Sequence, residues 1–96
     1  MKRDQILKNL KDMKDELSRK YHLTKLGVFG SFARNEQSDT SDLDIVVEME
    51  QPNMFDLIGI KQDIEEQLNL PVDIVRYRDN MNPFLKQRID NDARYV

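Results

Sequence analysis

The sequence contains no cysteine, which excludes disulfides and thiolate metal sites. It has no run of 18 apolar residues, about the length a membrane-crossing helix needs. Its first ten residues, MKRDQILKNL, carry charges where a secretion signal would be apolar. A cytoplasmic protein with no membrane partner is the expectation. A basic surplus is also lacking, with 15 Lys and Arg against 18 Asp and Glu and a net charge of −3. Long nucleic acids are bound largely through phosphate contacts, so no such partner is expected. No internal repeat, low-complexity tract or linker interrupts the 96 residues, and this length suits one domain spanning 1–96. What is present, 39% hydrophobic and 34% charged residues, is the composition of a folded globular chain.

Hydrophobic spacing orders that chain. Ile6, Leu10, Met13 and Leu17 recur at helical intervals and predict a helix over about 4–20, capped by Asp4, with its Lys and Arg on a solvated face. His22, the single histidine, reads as a loop or cap residue. Leu26, Val28 and Phe29 predict a short strand that stops at Gly30-Ser31. One helical turn over 31–35 and a polar loop over 36–41 follow. Leu43 to Met49 is the clearest strand. Pro52-Asn53 opens a second long helix, whose Met54, Leu57, Ile58, Ile64 and Leu68 are expected in the core. Val72 to Tyr77 predicts a third strand. Asn82-Pro83 starts a last helix, running to about Arg94 with Phe84, Leu85 and Ile89 as its apolar residues. The fold class is α+β.

Two carboxylates stand out. Asp42 and Asp44 are two apart at a strand start and leave the same face of the sheet, with Cα atoms ~6.5–7 Å apart. Such a pair can hold divalent cations, and oxygen ligands suit Mg²⁺. Alone, Asp-Leu-Asp also fits the wet face of an edge strand. Val46 follows on that face, so the face is polar only where the strand begins. Glu48, ~20 Å along the strand from Asp42, reads as solvated. Gly30-Ser31 lets backbone approach a ligand closely and offers a hydroxyl donor, although a plain strand-to-helix turn uses the same residues. Asp73, between Val72 and Ile74, sits where an unpaired carboxylate is unfavourable. Arg34, a short turn after Ser31, can reach a phosphate or pair with a nearby carboxylate.

Gly30-Ser31, ten residues, then Asp42-x-Asp44, within the string GVFGSFARNEQSDTSDLDIVVE, resembles the DNA polymerase β-like nucleotidyltransferase superfamily and most closely its minimal nucleotidyltransferases. The resemblance implies that Gly30 and Ser31 bind a triphosphate and that Asp42 and Asp44 hold two Mg²⁺ ions. By position, Asp73 would be the third carboxylate. For these groups to share one site, the first strand must run antiparallel to the second and the third parallel to it, giving a three-stranded mixed sheet in the order first, second, third with flanking helices. ATP is the implied substrate, and Asp73 the group that activates the attacking hydroxyl. Minimal nucleotidyltransferases are typically encoded beside a helical HEPN-domain protein and act as antitoxins that adenylylate a toxin tyrosine. That partner is therefore the implied one here. Two other readings remain open: a non-catalytic antitoxin acting by contact, and an antibiotic-modifying transferase working as an oligomer.

Overall fold

In the computed structural model, which describes residues 2–38 and 40–96, the first helix α1 spans Arg3–Tyr21. Ile6, Leu10 and Leu17 form its buried stripe. Lys2 rather than Asp4 holds the N-cap position, and Asp4 lies in the first turn, where a negative charge favours the helix dipole. His22 ends the helix in the left-handed conformation, φ 58°, its N–H bonded to Ser18 O. The chain then enters β1, Leu23–Phe29, and a one-turn helix α2, Gly30–Ala33. Asp39, in the expected polar loop, lies outside the described residues.

Strand β2, Leu43–Met49, crosses the middle of the sheet. Helix α3, Met54–Leu68, is capped by the Asn53 side chain, which accepts from the Phe55 and Asp56 N–H groups. Strand β3 is Val72–Arg76. Helix α4, Pro83–Asp92, begins as its Asn82-Pro83 start signal predicts, with the Asn82 side chain accepting from Phe84 and Leu85 N–H.

The sheet has four strands in the order β3-β2-β1-β4, not three. Within it, β1 runs antiparallel to β2 and β3 parallel to β2, the directions expected from the sequence. The added strand β4 is Arg94–Tyr95, antiparallel to Gly27 and Val28 of β1. The last helix therefore stops at Asp92 rather than near Arg94. A two-residue strand leaves no alternation to detect. Gly27 permits it: a Cβ there would come within 2.9 Å of Arg94 O.

One face of the sheet carries the larger core. Leu26, Val28, Ile45 and Val47 pack with Ile6, Leu10 and Leu17 of α1 and Ile60, Ile64 and Leu68 of α3. The opposite face is covered only in part, where Phe29 and Val46 meet Ile89 of α4. The expected core stripe of α3 needs correction. Leu57 is partly buried, but Met54 is 74% exposed and Ile58 45% exposed. The buried stripe is Leu57, Ile60, Ile64 and Leu68, spaced 3, 4 and 4. Ile58 lies roughly 120° around the helix from Ile64 and so faces away. Phe84, at the start of α4, is likewise 78% exposed, while Leu85 and Ile89 of the same helix pack inward.

Candidate active site

Strand directions bring three chain segments to one end of the sheet. Phe29, the last residue of β1, is the register partner of Asp44, and Asp44 is in turn opposite Asp73 on the parallel strand β3. Register partners on neighbouring strands point to the same face, with backbones ~4.8 Å apart. Asp44 and Asp73 therefore stand side by side on the partly covered face, level with the chain as it leaves β1 for α2. Asp42 immediately precedes β2 and shares the parity of Asp44. Asp42 and Asp73 are exposed, whereas Asp44 is half-buried.

The Asp44 carboxyl is held above the usual carboxylate range. Burial is the largest cause; the neighbouring charge of Asp73 comes next, and that of Asp42 adds to it, while Arg88 and Arg34 pull the other way. A carboxylate so placed is stabilised by any cation that joins it.

Gly30 sits directly against this group. Its φ of +74° is one that side-chain-bearing residues rarely adopt, and a Cβ there would overlap the Asp44 carboxylate, reaching within 3.1 Å of Cγ. Glycine is thus required twice, by backbone conformation and by space. Ser31 follows, half-buried, with no side-chain hydrogen bond among the described residues. Its hydroxyl is available to a ligand at the Gly30 backbone. The turn closes with Arg34 N–H bonded to Gly30 O and Glu36 N–H to Ser31 O, through Asn35 at φ 60°.

Arg34 makes the ion pairs that its second reading describes. Its Nε donates to Glu36 Oε2 at 3.1 Å and its Nη1 to Asp92 Oδ2 at 2.7 Å, joining the turn after β1 to the end of α4. Its pKa is raised, first by the Glu36 bond and then by the Asp92 bond. Asp92 and Arg88, both on α4, were not singled out by the sequence. Their i, i+4 spacing is the one available signal, and by itself it is a routine surface pattern. Glu48 pairs with Lys25 across the β1–β2 ladder at 3.4 Å, away from the carboxylates.

Among the described residues no three His, Cys, Asp or Glu side chains form a ready-made metal cage. That arrangement nevertheless fits magnesium, which is usually bound through one or two carboxylates and completes its shell with water and substrate phosphates. A carboxylate destabilised by burial and by two acidic neighbours is the donor set such an ion takes.

The nucleotidyltransferase domain family matches residues 10–96. A Methanocaldococcus jannaschii protein, provisionally named a protein adenylyltransferase, is 35% identical over 88 residues, covering 91% of this chain and 90% of its own. A solved structure provisionally described as a minimal nucleotidyltransferase superposes with a TM-score of 0.81 at 29% identity, covering 100% of this chain and 97% of that one. A chain of the solved complex of a tri-AMPylated Shewanella oneidensis HEPN toxin with an MNT antitoxin gives a TM-score of 0.66 at 20% identity, over 94% of this chain and 70% of that one, a likeness of fold. No helix among the described residues is long and apolar enough to cross a membrane. With its glycine turn set against a carboxylate pair on adjacent parallel strands, the chain belongs to the nucleotidyltransferase domain family, among the minimal nucleotidyltransferases.

Proposed function

We propose that residues 1–96 act as one catalytic domain that transfers AMP from ATP to a hydroxyl of a protein partner, a tyrosine of a HEPN-like helical protein, and so serves as the antitoxin of a pair. The observation that carries this reading is the Gly30–Asp44–Asp73 arrangement: a close-approach backbone set against two carboxylates in register. Support for the adenylyl group and protein acceptor comes from the relative named for protein adenylylation and from the AMPylated HEPN toxin held by a protein of the same fold.

In this mechanism the phosphates lie against the backbone of the turn that begins at Gly30, and the Ser31 hydroxyl donates to a phosphate oxygen. Asp42, Asp44 and Asp73 would hold two magnesium ions, which neutralise charge on the entering and leaving oxygens when bound. Asp73, exposed at the sheet edge, accepts the proton of the acceptor hydroxyl. The hydroxyl oxygen bonds to the α-phosphorus while the bond from that phosphorus to the bridging oxygen breaks, and pyrophosphate departs. AMP passes directly to the acceptor, with no covalent intermediate on the chain.

The test is incubation of this chain with ATP, Mg²⁺ and a HEPN-like helical protein, read by mass spectrometry. The expected result is one or more added AMP groups on tyrosine of the partner and none with Asp42→Asn/Asp44→Asn. A partner that is inhibited yet carries no AMP sinks the catalytic reading and leaves inhibition by contact.

A further inference from the structure

Helix α4 crosses the partly covered face of the sheet beside the carboxylates. Two features fix its rotation: Ile89 packs against Phe29 and Val46, and Asp92 is bound by Arg34 at 2.7 Å. Arg88 stands one turn before Asp92 on the same side of the helix, about 40° from it around the axis. With Asp92 tied to the turn that follows Gly30-Ser31, Arg88 is set over the same end of the sheet. From there its positive charge favours the ionised form of Asp44, opposite in direction to Asp73. Yet Arg88 is exposed and has no ion-pair or hydrogen-bond partner among the described residues. Arg34, the other arginine close to Asp44, is already engaged by two carboxylates.

We propose that Arg88 is the arginine that grips the β- and γ-phosphates of the bound nucleotide, with Asp92 and Arg34 positioning the helix that presents it. The inference rests on the nucleotidyl-transfer reading above. Its chemistry is that of the guanidinium fork, whose parallel N–H donors match phosphate oxygens and which keeps its charge at every relevant pH. A free arginine facing an acidic floor also has an electrostatic reason to be there. It steadies the carboxylates before the nucleotide arrives, then turns to the more highly charged phosphates. Arg34 shares its donors with Glu36 and Asp92, whereas all of those of Arg88 are free among the described residues.

The test compares ATP with AMP as probes, because only ATP has the phosphates in question. Binding of each to the whole chain in Mg²⁺ is measured calorimetrically for wild type, Arg88→Ala and Arg88→Lys. The expected result is a loss of roughly 10- to 100-fold in ATP affinity for Arg88→Ala, the usual effect of removing a charged hydrogen bond. AMP affinity stays at the wild-type value, and Arg88→Lys recovers part of the loss. Arg88→Ala binding ATP as wild type does, or losing ATP and AMP equally, overturns the assignment. Should Arg88→Ala fold poorly, the ATP-to-AMP ratio of Arg88→Lys decides on the same terms. Wild type that binds neither nucleotide instead removes the function itself, and this inference with it.

Discussion

The Asp44 carboxylate fills the space that a side chain on Gly30 would need. The two residues are fourteen apart in sequence, and the antiparallel β1–β2 ladder brings them together. Gly30→Ala should therefore fail in two separable ways, through the positive φ and through overlap with Asp44. The backbone term costs about 1–2 kcal/mol and the overlap adds to it. In an Asp44→Ala background only the backbone term should remain. Urea denaturation of the four proteins of this double-mutant cycle checks it, and purely additive losses would show that the two residues do not compete for space.

Removing charge from Asp44 should stabilise the fold while ending transfer. Its pKa is raised, chiefly by burial and then by Asp73. The folded chain thus holds this proton more tightly than the unfolded chain does. Stability is lost as pH rises from the ordinary carboxylate range through the raised folded value, and the loss is complete above it. Asp44→Asn has no such loss. Its melting temperature should match wild type at acid pH, below the ordinary carboxylate range, and exceed it at pH 7. A gain that is constant with pH, or that grows toward acid, contradicts this assignment.

The Arg34–Asp92 pair predicts a helix-anchoring role for both side chains. The arginine of the pair is exposed to solvent, so the direct contribution of the pair to stability is small. Its larger effect is on where α4 sits. Asp92→Asn should then reproduce most of the Arg34→Ala loss in transfer rate, although Asp92 touches no substrate in the proposed mechanism. Rates for both variants and the double variant supply the check. A severe Arg34→Ala with a nearly normal Asp92→Asn would instead make Arg34 a direct phosphate ligand.

These cases also mark what the sequence could tell. The carboxylate site was legible because its parts lie at ends of strands with strong patterns: β-branched β2 fixes the parity of Asp42, Asp44 and Val46, and the crossover through α3 fixes the direction of β3. The site's cationic side was legible only at Arg34. Arg88 and Asp92 matter through the rotation of α4, which packing of Ile89 sets. Strand β4 was not legible, for its two residues owe their pairing to the absence of a side chain on Gly27. The α3 stripe was misjudged because Met54 and Ile58 follow the helical period but on a neighbouring face. Period alone does not say which face meets the sheet.

That misjudged stripe gives the last prediction. If Ile60 and Ile64 form the buried side of α3, and Phe55 (86% exposed) and Phe84 (78% exposed) do not contribute to the core, truncation should separate them sharply. Ile64→Ala removes buried methyl groups and leaves a void, at a cost of about 2–5 kcal/mol. For a domain of this size, usually stable by about 5–15 kcal/mol, that is a large share. Phe55→Ser and Phe84→Ser expose nothing new and should fall within about 0.5 kcal/mol of wild type. Asn53 and Asn82 still cap the two helices in those variants, so their first turns persist. Chemical denaturation distinguishes the groups, and a loss above about 1 kcal/mol for either Phe→Ser variant would mean that the α3 and α4 N-termini pack more tightly than this structure has them.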